Sequence, residues 1–277
     1  NPRNTSSIYE LGRITGTTPL HWAARNGHFG VSKFIIENIN NKNPAGTTGN
    51  RNTPLHEAAE NGHLDVCKLI MDNTSDKNPT NRYGNTLFHI AAKKGQLEVC
   101  QLMLENLTDK NPARNPIGET PLHEAARNGH LEVCKLIIDN IIDKNPRTFG
   151  IGETPLHEAA RYGHLEVCKL IMDNIIDKNP KTFGRHVVFH CAAMNGQLAV
   201  CQLMLENMSD KNPATLPHRK TPLHYAAQCG HVKICKLIME NVVDKNPLCS
   251  SKSTPLSLAT LNGKSKVCQL FHENGIY

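Results

Sequence analysis

The sequence predicts an all-α protein, a solenoid of about eight stacked helix-turn-helix repeats, and three observations predict it. Thr-Pro-Leu-His stands at 18–21, 53–56, 120–123, 154–157 and 221–224, with altered copies at 86–89, 187–190 and 254–257. Equivalent His or Ser positions recur every 33 to 35 residues, a fixed period that signals stacked repeats. Seven of the ten cysteines, Cys67, Cys100, Cys134, Cys168, Cys201, Cys235 and Cys268, also fall on one equivalent position, which Ser32 fills in the first repeat. The repeats run 1–44, 45–79, 80–112, 113–146, 147–180, 181–213, 214–247 and 248–277, the last as a cap. Each repeat touches only its neighbours, so length counts repeats and a single domain over 1–277 is expected.

Residues 120–153 show how each element arises. Thr120 offers a side-chain oxygen as N-cap, and Pro121 sits where a missing N–H costs nothing. The first helix takes Leu122, Ala125 and Ala126 as its apolar face, and Gly129 breaks it. A second helix is predicted from about Leu131 to Asp139, with Leu131, Cys134, Leu136 and Ile137 inward and Glu132 and Lys135 outward. Asn140 should end it in the left-handed conformation that asparagine tolerates best after glycine. Lys144-Asn145-Pro146, one of seven Lys-Asn-Pro copies, then opens an extended, turn-rich finger leading to the next threonine.

These motifs, Thr-Pro-Leu-His-x-Ala-Ala, then Gly-His-Leu-Glu, then a Leu-rich helix, resemble the ankyrin repeat family over about 16–274. The resemblance implies helix pairs stacked into a curved solenoid, with turns projecting as β-turn or hairpin fingers and first helices lining a concave face. It also implies that the Thr-Pro-Leu-His histidine bonds to the threonine and backbone of its own turn. Two departures stand out. Asn replaces glycine after the second helix, and Arg51, Arg185, Arg219 and Lys252 replace the turn glycine that Gly16, Gly84, Gly118 and Gly152 supply. Those fingers are expected to bend differently. Residues 88–113 and 189–214 share Phe-His, Gly-Gln-Leu and Val-Cys-Gln-Leu-Met-Leu-Glu-Asn at a spacing of 101, which points to duplication of a three-repeat block.

No apolar run approaches the roughly 18 residues of a membrane span. Neighbouring ladder cysteines should lie about 8 to 10 Å apart, beyond the roughly 7 Å limit for a disulfide, and so serve as buried core thiols. That favours a reduced cytoplasmic or nuclear setting. Sequons at Asn4, Asn73, Asn106 and Asn207 pull the other way, but three of these asparagines are helix ends. The opening Asn1-Pro2 matches part of Lys-Asn-Pro and is read as an excision from a longer array, while Lys264, Ser265 and Lys266 give the last repeat the polar face of a cap.

Fifteen histidines suggest metal or catalysis, yet twelve occupy two repeat positions. His-Glu pairs at 56, 123 and 157 lack the second histidine of a zinc-protease motif, and Glu60, Arg127 and Arg161 stand there instead. No Cys-x-x-Cys pair, phosphate loop or nucleophile elbow appears. The chain is therefore expected to be no enzyme and to need no cofactor or metal.

The net charge of +6 is concentrated in the fingers, where Arg51, Arg82, Arg114, Arg147, Lys181, Arg185, Arg219, Lys220 and Lys252 face only Glu119 and Glu153. Tyr83, Ile117, Phe149, Ile151, Phe183 and Leu216 punctuate the same fingers. Aromatics beside arginines have the composition of interface anchors, although packing on the next finger explains them equally well. On the first helices, Arg127, Arg161, Tyr162, Met194 and Tyr225 vary where the core does not, and Glu124–Arg127 and Glu158–Arg161 are placed to pair across one turn. The expected function is a monomeric protein-interaction scaffold that binds its partner through the concave groove and the basic fingertips. Its partner-binding residues are Tyr83, Arg127, Arg147, Phe149, Arg161, Tyr162, Lys181, Phe183, Arg185, Met194, Arg219, Lys220 and Tyr225, and its partner carries acidic and apolar residues. The rival readings are polyanion or nucleic-acid binding along the basic edge, and the ankyrin portion of a larger channel, enzyme or signalling protein.

Overall fold

A computed structural model describes residues 16–47, 49–112, 117–184 and 186–277. It divides into two compact units, the first running to Ala125 and taking in 130–142, the second comprising 126–129 and 143–277. The first holds α1 (Pro19–Arg25), α2 (Phe29–Asn38), α3 (Pro54–Glu60), α4 (Leu64–Asp72), α5 (Leu87–Lys94), α6 (Leu97–Asn106) and α8 (Leu131–Asn140), while α7 (Pro121–Arg127) contributes to both. The second holds α9 (Pro155–Tyr162), α10 (Leu165–Asp173), α11 (Val188–Met194), α12 (Leu198–Asn207), α13 (Pro222–Cys229), α14 (Val232–Asn241), α15 (Pro255–Leu261) and α16 (Ser265–Glu273). Among the described residues there is no sheet, only isolated bridges Thr80–Thr86 and Lys181–Val187.

Within each unit, first helices stack on first helices and second helices on second, as α1 on α3 and α2 on α4, or α9 on α11 and α10 on α12. Small residues make this close approach possible: the Ala-Ala pair of α1, α3, α5, α7, α9, α11 and α13 is fully or almost fully buried, as is Val-Cys in α4, α6, α8, α10 and α12. In α8 the buried residues are Val133, Cys134, Ile137 and Ile138, and the expected inward Leu131 and Leu136 are only half-buried. Their stripe faces the edge of the helix stack, where neighbouring second helices leave a shallow groove lined by Leu64, Leu97, Leu102 and Leu136.

Every first helix begins with its N-cap backbone N–H donating to the side chain three residues on, a histidine in seven of them and Ser257 in α15. The backbone N–H of Thr53 donates to His56 Nδ1 at 3.1 Å, and the same bond recurs at Thr18, Thr86, Thr120, Thr154 and Thr221. Nδ1 is thereby an acceptor, so the proton sits on Nε2, which points at the following finger. There it meets a backbone carbonyl: His21 reaches Asn52 O at 3.0 Å, His89 reaches Glu119 O at 3.1 Å and His190 reaches Lys220 O at 3.2 Å. The histidine therefore braces two repeats as well as its own turn.

The second helices end by a route other than the expected one. Asn73, Asn174 and Asn274 keep φ of −106°, −104° and −95°, outside the left-handed region. Each Nδ2 instead donates to the carbonyl four residues back, 2.9 Å from Leu69 O, 2.9 Å from Leu170 O and 2.8 Å from Leu270 O. The side-chain amide extends the helical ladder by one donor and satisfies an end carbonyl. Left-handed backbone occurs in the fingers: Arg51, Arg219 and Lys252 take φ of 54°, 54° and 59°, close to Gly16 at 64° and Gly84 at 73°. These three basic residues keep the glycine bend instead of altering it, whereas Arg185 lies outside the described residues.

Candidate functional site

The fingers of the second unit are built on a threonine at their base. Thr148, Thr182 and Thr215 are buried, and each closes its hairpin from both sides. Thr148 N–H donates to Glu153 O at 2.8 Å while its Oγ1 accepts Glu153 N–H at 2.9 Å. Thr182 does the same with His186, and Thr215 with Lys220. Adjacent fingers are then tied by main-chain bonds: Phe183 N–H to Ile151 O at 2.9 Å, Leu216 N–H to Gly184 O at 3.3 Å and Ser250 N–H to His218 O at 2.9 Å. Arg147 adds a side-chain link through Nη1, 3.1 Å from Gly152 O and 2.5 Å from Lys181 O. Irregular segments become a connected ribbon, with few backbone groups left to wander.

That ribbon presents apolar side chains outward. Phe149 is 53% exposed, Ile151 62%, Phe183 65% and Leu216 44%. Phe183 also leans on the neighbouring finger, its ring edge 3.1 Å from where a side chain on Gly152 would begin. Of the two readings of these tips, packing on a neighbour holds for one side of Phe183 and leaves most of its surface in solvent. Lys181, Arg219 and Lys252 are exposed beside them, and no ion pair is formed by Arg147, Lys181, Arg219 or Lys252 among the described residues. Lys220 is differently placed, with Nζ 3.0 Å from Gln228 Oε1 and 5.7 Å from the Tyr225 ring centre. Tyr225 itself is half-buried among His186 and His190, at ring separations of 5.6 and 5.7 Å.

The first helices behave oppositely. Glu158 is only 2% exposed and is held by Arg127 Nε at 2.8 Å and by Arg161 Nη1 at 2.7 Å. Arg161 also pairs with Glu153. Burial opposes the Arg161 charge, but the Glu153 and Glu158 carboxylates outweigh it and raise its pKa. Arg127 and Arg161, both expected to meet the partner, thus neutralise a buried carboxylate and lie half-buried. Tyr162, 51% exposed, and Met194, 37% exposed, remain open beside them. Tyr83 is exposed too and belongs to the first unit.

A family model described as "Ankyrin repeats (3 copies)" matches residues 4–81, 39–113, 88–182 and 189–277. The chain belongs to the ankyrin-repeat family. A search of curated proteins found no match. Ankyrin repeats are generally protein–protein interaction modules and typically non-catalytic.

Within these ankyrin repeats the titratable groups are occupied by structure. Desolvation pushes the thiols of Cys67, Cys134, Cys168, Cys201 and Cys235 up to about 12, so they hold their protons and are poor nucleophiles. All ten cysteines are unpaired. Among the described residues no group of three or more His, Cys, Asp or Glu could hold a metal ion. No described helix is long and apolar enough to cross a membrane. The Gly-His histidines cap the preceding repeat: His63 Nε2 lies 3.0 Å from Arg25 O, His164 Nε2 2.9 Å from Arg127 O and His231 Nε2 3.0 Å from Met194 O. The Lys-Asn-Pro lysines do likewise inside one repeat, Lys42, Lys110 and Lys211 each donating to a carbonyl near the second helix end. Sequence reasoning missed the finger-to-finger ladder, because main-chain bonds leave no mark in residue type. A Thr or Asn two residues after four of the seven Lys-Asn-Pro copies, at Asn81, Thr148, Thr182 and Thr215, was the available signal.

Proposed function

We propose that the chain is a protein-binding module whose partner docks on the fingertips of the second unit, with Tyr162 and Met194 on the neighbouring helix ends as a second contact. The partner segment carries acidic and apolar residues. One observation supports this above the others: Phe149, Phe183 and Leu216 stand exposed beside Arg147, Lys181 and Arg219, cations that form no ion pair among the described residues. Exposed anchors on a hydrogen-bonded ribbon lose little entropy on binding. Arg185 and Lys220 belong to the same basic edge by sequence. Arg127 and Arg161 act as supports, because Glu158 and Glu153 already consume their charge.

The test is capture of partners from a cell lysate by the intact chain and by two variants. Charge reversal at Lys181 and Arg219, combined with Phe149→Asp, is expected to abolish capture of the partners retained by the wild type and to flatten the salt dependence of that capture. Charge reversal at exposed Lys169 and Lys236, on the second helices, should leave capture unchanged. Equal capture by all three proteins would refute the fingertip reading.

A further inference from the structure

Phe149, Phe183 and Leu216 occupy the same place in successive fingers, the third residue after the Lys-Asn-Pro proline. Main-chain bonds, Phe183 N–H to Ile151 O and Leu216 N–H to Gly184 O, tie each to the preceding finger. Their spacing along the ribbon is set by the stacking of α9, α11 and α13, and packed helix axes lie about 8 to 10 Å apart. The second unit therefore offers three apolar projections in a row, one repeat apart, flanked by Arg147, Lys181 and Arg219.

A partner must place apolar side chains on one face at that same interval. A polyproline II chain does so at every third residue, since it has three residues per turn and rises about 3.1 Å per residue, or about 9 Å per turn. A β-strand does not, because residues three apart point to opposite faces. An α-helix returns to the same face at about that distance only at every seventh residue, and its diameter of about 10 Å calls for a trough. The fingertips are projections 44% to 65% exposed, not walls of a trough. A slim extended chain can lay its side chains between them, and such a chain is already ordered before binding.

Resting on the fingertip reading above, we propose that the partner segment is an acidic polyproline II stretch with an apolar residue at every third position, seated between the tips of Phe149, Phe183 and Leu216. Its carboxylates face Arg147, Lys181 and Arg219. The proposal deepens the assignment of that surface by naming the conformation and the periodicity of what it binds.

The experiment measures binding of the full chain to a fluorescein-labelled peptide of four Leu-Pro-Glu units. A permuted peptide of identical composition without the three-residue period, a heptad-repeat helical peptide with leucine and glutamate, and an oligothymidylate serve as comparisons. The periodic peptide is expected to bind about tenfold or more tightly than the permuted one, and to lose that binding when Phe149→Asp and Leu216→Asp are combined. Both positions are exposed, and the fold of the variant is checked by circular dichroism before binding is measured. Equal affinity for periodic and permuted peptides, both lost in the variant, would overturn the periodic inference and leave the fingertip reading standing. Binding of the periodic peptide that survives the double substitution would sink both. Absence of peptide binding, or tighter binding of the helical peptide or the oligothymidylate, would overturn the inference.

Discussion

Ser32 is the rung of the cysteine ladder that lacks sulfur, and its hydroxyl is buried without a hydrogen-bond partner among the described residues. A buried unsatisfied hydroxyl costs about 1 to 3 kcal/mol. Ser32→Cys, which restores the residue found at the other seven positions, is expected to stabilise the protein by about 1 kcal/mol, read as a higher urea midpoint at unchanged slope. Lys252 makes a second case. Its left-handed φ of 59° places a lysine where the fold wants glycine, and that conformation costs a residue with a side chain about 1 to 2 kcal/mol. Lys252→Gly should recover about 1 kcal/mol, less the greater entropy that glycine loses on folding. At this scale the sequence exposed the odd residue at each position, but the sign of the consequence needed backbone angles. Arg51 and Lys252 looked like altered bends and prove to be strained copies of the usual one. The asparagines looked like left-handed caps and prove to be side-chain donors.

The glycine between paired helices carries a constraint that involves the next repeat. Gly95 has φ of 73°, and a Cβ there would lie 2.6 Å from the His130 ring, which crosses over it to reach Lys93 O. Gly230 has φ of 89°, but its Cβ would meet only the flexible chain of Lys264 at 2.9 Å. Gly95→Ala is therefore expected to destabilise by about 3 kcal/mol and Gly230→Ala by about 1 kcal/mol, the left-handed backbone alone. Adding His130→Ala to Gly95→Ala should return the steric part, a coupling that a double-mutant cycle in urea measures. The helix, its break and its register were all legible in Thr-Pro-Leu-His and Gly-His. The stacking of a histidine on the preceding glycine was not, because its partner lies about one repeat away and the sequence shows only that both residues recur. The same holds at Glu158, whose bond to Arg161 follows from helical spacing while its bond to Arg127 crosses between repeats. Glu158→Ala would remove the buried carboxylate that Arg127 and Arg161 share, and a loss of about 3 kcal/mol is expected from thermal or urea unfolding.

Across the whole molecule, the histidine brace makes stability depend on pH. Desolvation lowers the pKa of His56 to about 4 and of His190 to about 3, with His186 adding to the effect at His190, and burial also lowers His21 and His224. Each ring is neutral when folded, Nδ1 accepting a backbone N–H and Nε2 donating to the next finger. In the unfolded chain these residues return to an ordinary pKa of about 6.5, so below that value the unfolded state binds the proton more readily. Their stabilisation is complete above about pH 6.5 and is lost as pH falls toward 4 at His56 and 3 at His190. Glu57 works in the opposite sense, since burial raises its pKa and protonation favours its folded form. One acidic group does not offset several histidines. Because each fully titrating group contributes about 1.4 kcal/mol per pH unit, stability is expected to fall by about 2 kcal/mol for each of His56 and His190 between pH 7.5 and 5. Urea unfolding at those two pH values, followed by far-ultraviolet circular dichroism, gives the slope. His56→Gln keeps a side-chain acceptor for the Thr53 N–H and cannot take up a proton in this range, so the variant should show a shallower pH dependence than the parent. An unchanged slope in that variant would mean that the acid sensitivity arises elsewhere than in the brace.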